Sequence, residues 1–382
     1  MPSWESPGGA VRGSAPLLLL AFWLSGCDPS DSPRRVPDAE PGAAGLSEGV
    51  SEPPDIPTGT PILTEVLSVS DAVELEAGWA LLDSRARRIH LLDPEGSLIR
   101  SVGRRGQGPG ELGHPAALIL DADGFGVVDT PGSRVDRFRG DGTFIETRRI
   151  SPKSCRGGGV VIAASGSPYP SDSIHIAFRC ANPATGEVRL VVERIGPEGT
   201  GREVGSRFLF DLSSGAGSVF AFPLFAAEEG RVVMGVSTDP CLSILGGDAT
   251  ESTRCHPDPI AVALPEAERR AFDSLSAELE ARLPGSRVPT PTHLPLFEAV
   301  FVTPSGLVVR RILGTDRRRL ELIESDGTGV APLGIPDHEM SWVGPRSVIA
   351  TWEVETGTAM RIYSLSALVG PAAAPGAGGA PE

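Results

Sequence analysis

Residues 80–99, ALLDSRARRIHLLDPEGSLI, recur at 126–145 as GVVDTPGSRVDRFRGDGTFI, 46 residues later and without a gap. In that frame Asp83 falls on Asp129, Arg88 on Arg134, Ile89 on Val135, Leu92 on Phe138, Gly96 on Gly142 and Ile99 on Ile145. Each copy reads strand, turn, strand, glycine turn, strand. Such a unit cannot bury its own faces and has to stack on its neighbours, as a propeller blade or a repeat array does. The 47 glycines and 36 prolines among 382 residues fit many short strands joined by tight turns, and are too many for a helical bundle. With aromatic residues at only 5%, the core has to rest on Val, Leu, Ile and Ala.

Further copies are looser. RRLELIESDGTGVAPL, 318–333, repeats the middle strand, the acidic-glycine turn and the next strand, with Leu320 in the place of Ile89. Its offset of 231 residues is close to five periods, which makes the two copies the first and sixth blades. Stretches 189–204 and 230–255 supply two more. Between the first two copies lies VGRRGQGPGELGHP, 102–115, whose GPGELG fits the GxGxxG of a dinucleotide-binding loop. That loop has to open a helix whose N-terminus receives the pyrophosphate. Here Pro115 and a short apolar run lead straight to an Asp-Gly turn, with no room for the helix. The stretch reads as a connector between the outer strand of one blade and the inner strand of the next.

The pattern formed by Asp83, Arg88, Ile89, Gly96, Gly103, Gly106, Gly108, Pro109, Gly110, Glu111, Pro115, Asp121, Gly124, Asp129, Arg134, Phe138 and Gly142 resembles a known group. It is similar to the NHL-type repeats of six-bladed β-propeller proteins, especially the propeller lipoproteins of environmental bacteria. The likeness is close over 80–145 and looser to about 365. It implies an all-β fold of six four-stranded antiparallel blades. Such propellers are mostly binding scaffolds while some six-bladed relatives are enzymes, so the likeness speaks to fold more than to activity. Ring closure requires the first and last blades to be joined, or two sheet edges stay open. ILTEVLSV, 62–69, is therefore expected to pair into the terminal blade beside the strands in RSVIATWEV and AMRIYSL.

Ahead of the repeats, LLLLAFWL, 17–24, is too short to span a bilayer but suits the apolar region of a signal peptide. Leu24-Ser25-Gly26-Cys27 resembles the bacterial lipobox, in which the cysteine is lipidated and becomes the first residue of the mature chain. The expected organisation is a lipoprotein signal peptide over 1–26, a disordered tether over 27–60, the propeller over 61–368 and a disordered tail over 369–382. The tether is dense in Pro, Gly, Ser and acid and buries too little apolar surface to offset its ordering entropy. An exported monomer, lipid-anchored to the bacterial cell envelope through Cys27, is the expectation.

One segment departs from the blade pattern. In LPEAERRAFDSLSAELEARLPG, 264–285, Leu264, Ala267, Ala271, Leu275, Leu279 and Leu283 recur at helical spacing, and Pro284-Gly285 stops the run. A helix over 264–283 covers apolar surface on one face, or closes over a ligand as a lid. Cys155 and Cys180 flank a Ser-Gly-Ser-Pro turn, and Cys241 and Cys255 flank Gly246-Gly247-Asp248. Each pair is expected to face across paired strands and to form a disulfide in an oxidising compartment. Zinc on Cys241, Cys255 and His256 is the rival reading, disfavoured by the absence of any CxxC pair. Asp121, Asp123 and Asp129 hint at a calcium loop but lack oxygen ligands at EF-hand spacing, so an Asp-Gly hairpin turn is expected. Calcium held in a channel by acids from separate blades stays open. Asp83/Arg88 and Asp129/Arg134 are expected to pair across their turns rather than to build an anion-binding ring. Arg317-Arg318-Arg319, the densest basic cluster, reads as a solvated turn.

A net charge of −15 argues against a nucleic-acid partner. Lys153 is the only lysine, which removes most Schiff-base and P-loop chemistry. The sequence holds no HExxH or SxxK, and its six histidines (90, 114, 175, 256, 293, 338) are dispersed. No catalytic residue, metal ligand or cofactor is nominated. The leading reading is a non-catalytic binding or scaffolding module that takes a protein or small-molecule ligand on one propeller face. The alternatives are a metal-dependent, lactonase-like hydrolase with a central-channel site and a ligand sensor with a helical lid.

Overall fold

In the computed structural model the described residues are 57, 60–129, 134–151, 153–155, 159–166, 173–182, 184–211, 221–228, 230–246, 250–282, 290–314, 317–324, 329–335, 338, 340–354 and 356–369. Cys27, the expected signal peptide, nearly all of the tether and the C-terminal tail from 370 lie outside them. Among the described residues no helix is long and apolar enough to cross a membrane.

The first strand among the described residues is β1 (Ile62–Leu63), whose partner is β24 (Gly357–Ser364). Blade 1 is β2 (Asp71–Leu75), β3 (Gly78–Asp83), β4 (Arg88–Leu92) and β5 (Leu98–Val102). Blade 2 is β6 (Pro115–Asp121), β7 (Gly124–Asp129), β8 (Arg134–Arg139) and β9 (Phe144–Arg149). Blade 3 is β10 (Gly159–Gly166), β11 (Ile174–Ala181), β12 (Glu187–Ile195) and β13 (Gly201–Asp211). Blade 4 is β14 (Pro223–Glu228), β15 (Arg231–Val236), β16 (Cys241–Leu245) and β17 (Glu251–Cys255). Helix α1 (Glu266–Arg282) interrupts the path to blade 5, which is β18 (Phe297–Thr303), β19 (Gly306–Ile312), β20 (Arg318–Glu324) and β21 (Val330–Pro332). Blade 6 takes β22 (Met340–Val343), β23 (Ser347–Val354) and β24 (Gly357–Ser364), with β1 as its fourth strand, and the short α2 (Leu365–Val369) follows.

The innermost strands β2, β6, β10, β14, β18 and β22 each touch the next, and β22 touches β2. The fold is a six-bladed β-propeller of four-stranded antiparallel sheets. Period-two side chains explain why these sheets stack. In β3, Ala80 and Leu82 pack towards blade 2 while Trp79 and Leu81 pack towards blade 6, so both faces are buried. Each such leucine contributes roughly 1.5–3 kcal/mol on burial. The hairpins that bring the strands back need glycine. Gly78 has φ +138°, and a Cβ there would lie 2.0 Å from the Leu92 carbonyl oxygen.

Closure is shorter than the sequence led us to expect. Only Ile62 and Leu63 pair, with Ala359 and Thr358 of β24, and the Met360 N–H adds one bond to the Pro61 carbonyl. Val66 and Val69 leave the sheet and pack between blades 6 and 1. The repeat count is also corrected. Segment 318–333 forms β20 and β21 of blade 5, not of the sixth blade. Nine- and eleven-residue strands β12 and β13, together with the excursion between Cys255 and Phe297, consume one period of sequence without adding a blade.

Helix α1 forms where expected, with its seam turned. Phe272 and Ser276 are buried and Leu275 is half-buried, whereas Ala267 and Ala271 are exposed. Leu283 and the side chain of Leu279 lie outside the described residues. The base of the excursion is a two-stranded neck. Leu264 N–H donates to Thr292, Leu294 N–H donates to Val262, and Ala263 bridges His293.

Candidate functional site

In these blades the first strand starts opposite the end of the second, as Pro115 opposite Asp129, Phe297 opposite Arg311 and Pro223 opposite Val236 illustrate. That end of the ring therefore gathers the inter-blade connectors, the turns between second and third strands, and the neck of α1. We call it the connector face.

Buried acceptors hold the connectors. Asp83 Oδ2 accepts from the N–H groups of Leu67 (3.0 Å) and Ser68 (3.3 Å), and its Oδ1 accepts from Ala86 (2.7 Å). Asp129 does the same for Gly113 (2.8 Å) and His114 (2.5 Å), and Ser237 Oγ for Phe222 (2.8 Å). In blade 3 Glu193, from the third strand, accepts from Lys153 (2.9 Å) and Ser154 (2.5 Å). Each bond satisfies a loop amide, in a connector or, for Ala86, in the turn between β3 and β4.

The GPGELG stretch is a connector of this kind. Arg134 donates to the carbonyls of Gln107 (2.8 Å) and Glu111 (2.7 Å) while holding Asp129 Oδ2 at 2.8 Å. Within the loop Glu111 accepts from Gly108 N–H and Arg104 Nε, both at 2.8 Å, and these two keep its carboxyl below the usual range. A Cβ on Gly106 would lie 2.0 Å from Glu111 Oε2, so a larger residue there would push the carboxylate off its donors. Strand β6 starts immediately after His114, and no helix follows. The two Asp/Arg pairs differ. Asp129 and Arg134 are bonded, whereas Asp83 and Arg88 face each other in register without an ion pair.

The acids at the calcium-like turn are engaged by a cation. Arg137 donates to Asp121 Oδ2 (2.5 Å) and Oδ1 (2.9 Å) and to Glu146 (2.7 Å), with Asp123 at 3.7 Å. Burial works against the charge on Asp121, but Arg137 outweighs it and holds the carboxyl below its ordinary value. Both cystines are present, Cys155–Cys180 with Cα atoms 5.4 Å apart and Cys241–Cys255 at 4.0 Å. Cys241 and Cys255 are register partners as expected. Cys155 instead precedes β10, and Cys180 stands opposite Gly159, so this bond ties a connector to a strand. The zinc reading fails at its ligands, since both thiols are consumed and His256 Nε2 faces Glu321 at 2.8 Å. Among the described residues no three His, Cys, Asp or Glu side chains converge as a metal site.

Two groupings escaped the sequence reading. Asp71 opens innermost strand β2 and accepts from Leu118 N–H of blade 2 at 2.7 Å and from the Trp342 side chain of blade 6. Burial dominates and pushes its pKa up to about 7, against the opposing backbone bonds from Leu118 and Ala72. The second is a set of arginines and glutamates at the connector end of blade 5. Glu321 gathers His256, Arg311 and Arg319, while Glu298 gathers Arg310 and Arg318. Only the RRR triplet signalled it in the sequence, and the acids that complete it stand elsewhere in the chain.

No family model matches the chain, and no curated protein sequence matches it. Solved structures do. A DUF4221 family member from Bacteroides vulgatus is 13% identical, covering 80% of this chain and 96% of its own, with a TM-score of 0.49. A Bacteroides fragilis protein provisionally described as exported is 10% identical over 78% of this chain and 90% of its own, also at 0.49. A streptogramin B lyase is 12% identical over 77% and 78%, at 0.39.

Proposed function

We propose that the chain is an exported, lipid-anchored binding module that takes its partner on the connector face and turns over no substrate. The observation that supports this reading is the pinning of that face. Asp83, Asp129, Ser237 and Glu193 each spend a buried acceptor on the backbone of an incoming connector. Loops held this way stay ordered before a partner arrives, which lowers the entropy cost of recognition. The anchor is the lipid on Cys27. The composition of the 33 residues from Asp28 to Thr60 is that of a random coil, which at this length would reach about 30 Å. Cys27→Ser is expected to move the protein from the detergent phase to the aqueous phase, and unchanged partitioning would remove the anchor. A screen of ester and lactone substrates, with and without calcium or zinc, is expected to show no turnover.

A second reading, a hydrolase with a site in the central channel, is favoured by Asp71. It stands on an innermost strand, and a pKa of about 7 suits a general acid or base at neutral pH. Turnover that Asp71→Asn abolishes would establish the hydrolase and overturn the binding module.

A further inference from the structure

The RRR turn belongs to a larger arrangement. In blade 5, Arg311 of β19 stands directly opposite Arg319 of β20, and Ile312 opposite Arg318. On the face turned to blade 4, Glu321 serves both members of the first pair. Arg319 Nε lies 2.6 Å from its Oε1, and Arg311 Nη1 lies 3.5 Å from its Oε2, which His256 also contacts. Arg311 further donates to the Ile260 carbonyl at 3.3 Å, within the segment that leads to the neck of α1. On the opposite face Arg310 and Arg318 share one oxygen, Glu298 Oε2, at 3.2 and 3.0 Å.

On the face turned to blade 4 two guanidinium groups, Arg311 and Arg319, stand against the one carboxylate of Glu321, in a chain whose formal charge is −15. Three of the arginines are buried, while 42% of the Arg319 side chain reaches solvent. Like charges in register across two strands repel. One carboxylate cannot neutralise two cations, and the low-dielectric surroundings focus the remaining field towards the exposed end. Arg310 carries the same strain, since its burial disfavours the charge and outweighs the pull of Glu298.

We propose that the connector end of blade 5 binds a small oxyanion, a ligand carrying a carboxylate or phosphate group, on the solvent-facing edge of the Arg319 guanidinium, with the buried Arg311 adding its charge from behind. Planar guanidinium groups take such anions through paired, charge-assisted hydrogen bonds. Arg319 provides the opening to solvent, and Arg311 joins the site to the base of the α1 excursion. The proposal rests on the binding-module reading and names its ligand class.

The test is calorimetric titration of the full chain with inorganic phosphate and with citrate at fixed ionic strength. Saturable binding of at least one is expected. Arg319→Gln should weaken it about tenfold or more, and Arg319→Lys, which keeps the charge and loses the fork, by severalfold. Arg139→Gln, an equal charge change at an exposed site in blade 2, should leave it unchanged. Circular dichroism checks that each variant is folded, and the Lys variant carries the test if the Gln variant is not. Equal losses in Arg319→Gln and Arg139→Gln would reduce the effect to net charge and overturn the site. Binding of anionic vesicles or an acidic peptide, with neither small anion bound, would overturn the small-ligand assignment. Absence of all binding at this turn, with turnover still absent, would sink this inference alone, whereas turnover dependent on Asp71 would sink the binding module beneath it.

Discussion

Blades 1 and 2 share a sequence frame and use it differently. Asp83 and Asp129 occupy the same position, and both spend their carboxylates on connector amides. The arginines one turn later diverge. Arg134 reaches the carbonyls of Gln107 and Glu111 because a long glycine-rich connector curls over it, while Arg88 stands opposite Asp83 and stays exposed. A second matched pair lies deeper. His90 Nδ1 meets Ser101 Oγ at 2.8 Å, and 46 residues on Asp136 accepts from Thr147 at 2.5 Å. The polar pair persists although its chemistry changes from base to acid. The difference teaches that the repeat sets where a polar group stands, and the connector above it decides whether that group carries load.

The largest expected effect tests the shared element. Asp129→Ala strips the partner from two amides and from the nearly buried Arg134, so urea denaturation should show a loss of roughly 3–5 kcal/mol. Asp83→Ala, with three amides and no bonded arginine, should cost about 1–3 kcal/mol. Equal losses would break the distinction. The arginines sharpen it further. Arg134→Ala should cost about 1.5–3 kcal/mol and Arg88→Ala less than about 0.5 kcal/mol in the same assay.

Asp71 joins the two blades through Leu118 and supplies a pH signature. Its folded pKa of about 7 lies above its ordinary 3.8, so between those values the folded chain holds a proton that the unfolded chain releases. The stabilisation is complete below about pH 4 and is lost as pH rises through about 7. Stability curves at pH 5 and 8 should differ by roughly 2 kcal/mol more in the wild type than in Asp71→Asn, and coincident differences would end the assignment. The deeper pair gives a further comparison. Ser101→Ala should cost about 1 kcal/mol and Thr147→Val somewhat more, because the latter strips a buried acid of its hydroxyl donor. A larger loss in blade 1 than in blade 2 would reverse that ranking.

Much of the architecture was legible because its causes are local. Period-two apolar runs, glycine at hairpin positions such as Gly78 and Gly124, and the 46-residue spacing depend only on neighbouring residues. The GPGELG stretch was legible as a connector because a helix needs sequence that was not there. The sixth blade was misplaced because counting by period assumes equal blades, and β13 with the α1 excursion broke that assumption. The seam of α1 was misread because apolar spacing selected the alanines, while packing selected Phe272 and Ser276. For the candidate site almost nothing was legible beyond the arginine triplet.

By itself the sequence determined a stack of small antiparallel units, the positions of their turns and the pairing of Cys241 with Cys255. Each follows from backbone geometry over a few residues or from symmetry about one hairpin. The tertiary structure alone decided what the buried polar groups do. Glu74 receives the Arg346 amide across 272 residues, Trp79 donates to Ser347 across 268, and His256 meets Glu321 across 65. Those partners depend on which blade stands beside which, and on how far each connector reaches. A buried charge is tolerated only where the neighbouring blade supplies its complement, and that neighbour is chosen by closure of the ring rather than by any local pattern.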